Sequence, residues 1–258
     1  MFKRLTIRDL LESGVHFGHH VRRWNPKMAP YIYGQRDKIH IINLDKTLPL
    51  LQQAVQAVQE HAASGGRILF VGTKHQAAAR VAEAAGKCGQ YYVNHRWLGG
   101  MMTNWKTVSQ SIKKLNALEQ RLADTTLGLK KKEALVLSRQ KDKLERVLGG
   151  VRHMGGVPSM IFIIDITLEK AAVAEAKKLG IPVVAICDTN CDPSGIDYPI
   201  PGNDDSSKAI DLYCELMEQA VLCGIQSGLT SAGIDVGALD DVNVEAAEVQ
   251  VSEYGVLS

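Results

Sequence analysis

No run of 18 apolar residues occurs in the 258-residue chain, so nothing in it reads as a membrane-spanning helix. The opening residues, MFKRLTIRDLLESG, lack both a long apolar core and a small-residue cleavage site, and are expected to belong to the mature protein. Cysteines are few and odd in number: Cys88, Cys187, Cys191, Cys214 and Cys223. In a long chain without an export signal they read as reduced cytosolic thiols, not as a disulfide framework. The one close pair, Cys187 and Cys191, has a loose Cys-x3-Cys spacing and no second pair, whereas structural zinc needs four well-placed ligands. Phosphate loops are missing too. The first buried strand is followed by GTKHQAAARVAEAAG, which is neither G-x-G-x-x-G nor G-x-x-x-x-G-K-[ST], and no G-x-S-x-G elbow exists. A nucleotide-dependent α/β enzyme remains the alternative reading, and these absences disfavour it.

Positive charge is missing from one end: no Lys or Arg follows Lys208. The net charge of +2 hides this asymmetry. Residues 1–156 hold 26 Lys and Arg against 11 Asp and Glu, while residues 157–258 hold 4 against 17. Such a split suggests a basic face for an acidic polymer and an acidic end pointing away from it. With 45% hydrophobic and 22% charged residues, the chain can bury one large core, alone or with an appendage.

Along the chain, short apolar runs alternate with helical spacings. Residues 5–12 predict a short helix, followed by a loop rich in His, Arg and Pro. YIYGQRDKIHIINL predicts a β-hairpin turning at GQRD, and Leu48, Leu51, Val55 and Val58 give a helix over 46–61. RILFVGT, YYVN, SMIFIIDI, IPVVAICD and DYPIPGN predict strands, most with helices of 10–15 residues or longer between or behind them. That rhythm means βαβ units: an open, mostly parallel, doubly wound sheet of flavodoxin-like or Rossmann-like type. Residues 104–152 break it. Val108, Ile112, Leu115, Leu118 and Leu122 form one narrow apolar stripe, and Leu137, Leu144, Leu148 and Val151 another. Two antiparallel helices forming an inserted coiled-coil hairpin are expected, in preference to crossover helices lying on the sheet. The core domain is thus expected at 1–103 and 153–228, with an acidic tail at 229–258. Gly99-Gly100 and Gly149-Gly150 flank the insertion, where close packing or a bend explains them.

Two kinds of site compete. Asp165, Asp188, Asp204 and Asp205 fall at or just beyond predicted C-terminal strand ends, where open α/β sheets bind ligands. With His19, the set Asp188, Asp204 and Asp205 could hold one divalent ion; the competing reading is that these carboxylates cap turns and helices. No other cofactor is expected. Nucleic-acid binding fits more of the sequence. Arg22, Arg23, Lys27, Arg36 and Lys38 cluster around Trp24. Lys74 and His75 follow the first buried strand, and His95-Arg96-Trp97 and Asn104-Trp105-Lys106 repeat the mix of cation, aromatic and amide. Lys and Arg neutralise phosphates, and Trp and Arg planes stack on bases or riboses. Burial is the competing reading for at least one of the three tryptophans.

These segments resemble a known family. LLESGVHFGHHVRRWNPKMAPYIYGQRDKIHIINLDKT is similar to the first signature of the bacterial-type small-subunit ribosomal protein S-two family. ILFVGTKHQA and NHRWLGGMMTNWKTV continue the likeness, and LGGVRHMGGVPSMIFIIDITLEKAAVAEAKKLGIPVVAICDTNCDP and IPGNDDSSKAI complete it over residues 2–226. The resemblance implies an α/β domain with a protruding coiled-coil hairpin and no catalysis. It implies a ribosome-associated, cytoplasmic protein between the head and body of the small subunit. Its partners would be ribosomal RNA and neighbouring ribosomal proteins, including the S-one protein that it helps attach. No membrane and no small-molecule substrate are implied. Carried over by position, the RNA-facing residues are Arg22, Arg23, Trp24, Asn25 and Lys27, then Lys74, His75, Arg96, Asn104 and Lys106. The Cys187 and Cys191 pair and the lysine-rich stretch Lys130–Lys132 depart from the family pattern.

Overall fold

The computed structural model describes residues 5–124 and 130–231. Five short strands, β4 (Ile68–Val71), β5 (Tyr91–Val93), β6 (Met160–Ile163), β7 (Val183–Cys187) and β8 (Tyr198–Pro201), build one sheet. Its order is β5-β4-β6-β7-β8 and every pairing is parallel. This is the doubly wound arrangement that the alternating runs predict. All residues of β4, β6 and β7 are buried, so apolar side chains are needed on both faces and the strands read as unbroken apolar runs.

Period-two alternation then divides the core. Phe70, Phe162, Val184, Ile186 and Ile200 point to a cluster with α2 (Leu44–Ala63), α3 (His75–Lys87) and α7 (Ser207–Ser231). Leu69, Val71, Ile161, Ile163, Val183 and Ala185 point to the other, with α6 (Lys170–Leu179). Phe70 and Phe162 meet edge-on at 5.5 Å across neighbouring strands.

A second sheet of β1 (Phe17–His20), β3 (Ile39–Ile42) and β2 (Ile32–Arg36) is antiparallel. Two expectations change here. The segment after α1 (Ile7–Glu12) is not all loop: Phe17–His20 is a strand paired with β3. The hairpin also turns later than GQRD, because Gly34, Gln35 and Arg36 pair with Ile41, His40 and Ile39. The turn residues are Asp37 and Lys38, with φ of 50° and 64°. Two left-handed residues give the turn twist that matches a two-residue hairpin.

Between β5 and β6 lie α4 (Trp105–Ala123) and α5 (Lys131–Leu148), packed on each other. Val108 and Ile112 at the start of α4 share the sheet-face cluster with Leu148 and Val151 at the end of α5. Leu115 and Leu118 are buried outside both core clusters, so α4 is covered beyond the sheet. At the base, Gly100 takes φ of 80°, and a Cβ on Gly150 would stand 2.2 Å from the Tyr92 carbonyl oxygen. The paired glycines thus serve a bend and a close approach. Of the tail expected at 229–258, residues 232–258 lie outside the described residues.

Candidate nucleic-acid interface and the buried charge cluster

Residues 20–27 form a strap across the C-terminal edge of the parallel sheet. Its hold is Thr189, just after β7: the His19 N–H donates to Thr189 Oγ1 at 2.8 Å and the Asn25 N–H to the Thr189 carbonyl at 2.8 Å. Gly18 is required there, since a Cβ would meet Thr189 Cγ2 at 2.6 Å. Two 3-10 turns follow, Val21–Arg23 and Pro26–Tyr31. His20 Nδ1 accepts from the Arg22 N–H at 3.4 Å, and Asn25 Oδ1 accepts from the Lys27 N–H at 3.0 Å. The strap is therefore shaped by local caps.

That shape turns charge outward. Arg22 and Arg23 are exposed, and no carboxylate pairs with either among the described residues. Lys27 is exposed and lies 2.6 Å from Asp192 Oδ2, which holds that carboxyl well down, to about 2. Trp24 is 39% exposed, and its ring lies 5.4 Å from the buried His40 ring. The indole is thus partly packed and partly open.

Lys74 is placed differently. Its side chain is turned into the structure, with Nζ 2.8 Å from Asp204 Oδ1, 2.6 Å from Asp205 Oδ1 and 3.5 Å from Asp165 Oδ2. Burial alone would lower its pKa, but the hydrogen bonds to Asp204 and Asp205 reverse that and raise it. His19 joins the same cluster, with Nδ1 2.9 Å from Asp188 Oδ2 and Nε2 3.5 Å from Asp205 Oδ2. Its pKa is raised, chiefly by the Asp188 carboxylate beside it. Asp204 is pushed up to about 7 by burial and by repulsion from Asp188 and Asp165, with Lys74 pulling the other way. Asp165 follows β6, Asp188 follows β7, and Asp204 and Asp205 follow β8, so three strand ends converge. Ligand atoms of His19, Asp188, Asp204 and Asp205 all lie within 4.8 Å of one another. One imidazole and three carboxylates are a chemically reasonable donor set for a divalent ion.

The remaining residues sit on other segments. His75 is exposed at the first position of α3. His95 and Arg96 are exposed after β5, whereas Trp97 is buried at 8% exposure. Asn104 precedes α4, where its Oδ1 accepts from Thr107 Oγ1 at 3.0 Å, and Lys106 is exposed on the first turn. Sequence reasoning missed what holds this 95–106 segment: Glu175 on α6. One of its carboxylate oxygens accepts from Trp97 Nε1 at 3.0 Å and the Gly100 N–H at 2.8 Å. The other accepts from the Met102 N–H at 2.9 Å, the Thr103 N–H at 3.0 Å and Thr103 Oγ1 at 3.1 Å. Burial pushes the Glu175 pKa up, but these bonds outweigh it and hold it down. Nothing in the spacing of a lone helical Glu signals this role.

Comparison with known proteins decides the family. The profile of the family described as Ribosomal protein S2 matches residues 10–224. The chain belongs to the ribosomal protein S2 family. A "Small ribosomal subunit protein uS2" of Paramagnetospirillum magneticum is 61% identical over 249 residues, covering 96% of this chain and 94% of the relative. That of Rhodospirillum rubrum is 60% identical over 251 residues, 96% of each. That of Granulibacter bethesdensis is 58% identical over 240 residues, 93% of each. An S2-family chain is a constituent of the small ribosomal subunit and not an enzyme. Among the described residues no helix is long and apolar enough to cross a membrane.

Proposed function

We propose that the chain grips small-subunit ribosomal RNA with the strap at residues 20–27, and that its role is placement. The observation that carries this is the pair Arg22 and Arg23, exposed and without carboxylate partners among the described residues, on a strap fixed by Thr189 and by local caps. A rigid mount lets unneutralised guanidiniums meet phosphates without paying for loop ordering at that moment. Trp24, Asn25 and Lys27 add a half-open ring, an amide and a cation beside them. Arg96, Asn104 and Lys106 form a second contact line shaped by Glu175, and His75 flanks it. Lys74 supports this surface from inside, by neutralising the aspartates beneath the strap. Phosphate, ribose and shape contacts dominate such recognition in RNA. Replacing Arg22 and Arg23 together by Glu should cut incorporation into small subunits while leaving the thermal melt unchanged. Full incorporation at ordinary salt would defeat the reading.

For the protein partner, the S-one ribosomal protein, the surface we infer is the outer side of the small sheet. Tyr33 on β2 is 78% exposed, Phe17 on β1 48% and Ile39 on β3 36%. Exposed apolar side chains gathered on one small sheet mark a contact site. Phe17→Ala with Tyr33→Ala should leave this chain in purified subunits and lower their S-one content; unchanged S-one content would remove this surface from consideration. A divalent ion at His19, Asp188, Asp204 and Asp205 would share the charge cluster with the Lys74 ammonium, and we treat it as a second occupant of the same carboxylates.

A further inference from the structure

Beside the strap lies a cavity of about 380 Å³, lined in part by Asn25 of the strap and by Asp192. Ile166, which lines it, follows β6, and Asn190, which also lines it, follows β7. The cavity therefore opens at the C-terminal edge of the parallel sheet, where open α/β sheets take their ligands. Its volume falls at the small end of the roughly 300–1,000 Å³ of small-molecule sites. It suits one flat polar group and is too small for a helix or a strand.

The lining divides by chemistry. Ile166 and Val173 supply a buried apolar wall. Asn25 and Asn190 supply amides. The Asn25 oxygen is already engaged by the Lys27 N–H, which leaves its NH2 group to donate. The Asn190 side chain lines the same wall, and its oxygen is buried with no hydrogen-bond partner among the described residues. Lys170 and Lys177 provide positive charge at the rim, Lys177 having one bond to the Ser194 carbonyl. The only carboxylate in the lining, Asp192, is paired with Lys27.

We propose that this cavity holds a single nucleotide of the bound RNA, turned out of its stack, with its base against the apolar wall and the two amides and its phosphate toward Lys170 and Lys177. The proposal rests on the RNA-binding reading above. Two side-chain amides in one lining match in kind the donors and acceptors that unstacked bases present along their edges. RNA helices hide those edges in a deep major groove, so loops and bulges are where a protein finds them. The neighbouring Arg22 and Arg23 would hold adjoining phosphates, which a free mononucleotide lacks. RNA is therefore the source to which the surface is suited.

Ala174 lines the cavity and is exposed on α6, so Ala174→Trp fills the space without entering the core. Small subunits carrying wild-type chain, Ala174→Trp or Asn190→Ala are probed with reagents that modify unpaired base edges. The expected result is one nucleotide protected in wild-type subunits and reactive in both variants. Ala174→Trp should also rebind stripped subunits roughly tenfold more weakly, as for the loss of one base contact, with the salt dependence unchanged because no phosphate contact is removed. If wild type binds and protects RNA, yet both variants give the same protections and affinity, the cavity proposal falls and the RNA reading stands. If wild type neither rebinds nor protects any nucleotide, the RNA reading falls with it. Thermal stabilisation of the free chain by AMP that is lost in Ala174→Trp would give the cavity to free nucleotides and overturn the proposal.

Discussion

Removing the Glu175 carboxylate should unfasten the 95–106 segment before it harms the rest of the fold. In Glu175→Ala five donors lose their acceptor. They do not all cost the same. Thr103 is exposed, so water replaces the carboxylate at its N–H and hydroxyl. Trp97 and Met102 are buried at 8% and 2%, and Gly100 is half-buried. Those three donors are left short of partners, at about 1 kcal/mol each, for a total of about 3 kcal/mol. A loss of that size lowers the melting temperature of a chain this long by roughly 6–12 °C. Glu175→Gln keeps one acceptor oxygen but places an NH2 group against the donors of the other, and should fall between the variant and wild type. Urea unfolding gives the energy, and hydrogen exchange at the Gly100, Met102 and Thr103 amides gives its location. A loss under about 1 kcal/mol with unchanged exchange at those amides would show that the segment is held by the burial of Trp97, Met101 and Met102 and not by the carboxylate.

The charge cluster should make stability fall as pH rises. His19 has a raised folded pKa, so its contribution is full below its ordinary 6.5 and is lost as pH passes the higher folded value. Asp204 rises from 3.8 to about 7, so it too holds its proton more tightly when folded, and its penalty grows between those two values. Melting temperatures from about pH 5 to pH 8 should therefore decline in wild type and decline less in Asp204→Asn; parallel profiles would rule this out. If the same groups take a divalent ion, added zinc should raise the wild-type melting temperature and leave that of His19→Gln unmoved. Metal-free protein after mild dialysis, together with no zinc-dependent shift, would leave the cluster to Lys74 and His19 without a metal.

What the sequence made legible follows from how local each cause is. β4, β6 and β7 are readable because burial on both faces demands consecutive apolar residues, and a short run of them between glycines has few other uses. β1 was not readable. FGHH has no alternation and contains a glycine; it is a strand because β3 pairs with it and Thr189, some 170 residues away in sequence, catches His19. The hairpin turn misled for a related reason. GQRD carries the usual turn residues, yet register with β3 places left-handed backbone at Asp37 and Lys38, and lysine does not advertise that conformation. Among candidate site residues the division is the same. Arg22, Arg23 and Lys27 read as exposed cations and are exposed, since a stretch dense in Arg, Lys and Pro cannot be buried cheaply. Lys74 reads alike in sequence, but three aspartates delivered by the ends of β6 and β8 enclose it; the strand ends bring those aspartates to one sheet edge, yet they do not fix the direction in which the lysine side chain turns. The charge asymmetry that first pointed to nucleic acid therefore has a second consequence. Part of the acidic half is not turned away from the basic half; Asp165, Asp204 and Asp205 are folded under it, and they hold in place the sheet edge on which the arginine strap is mounted.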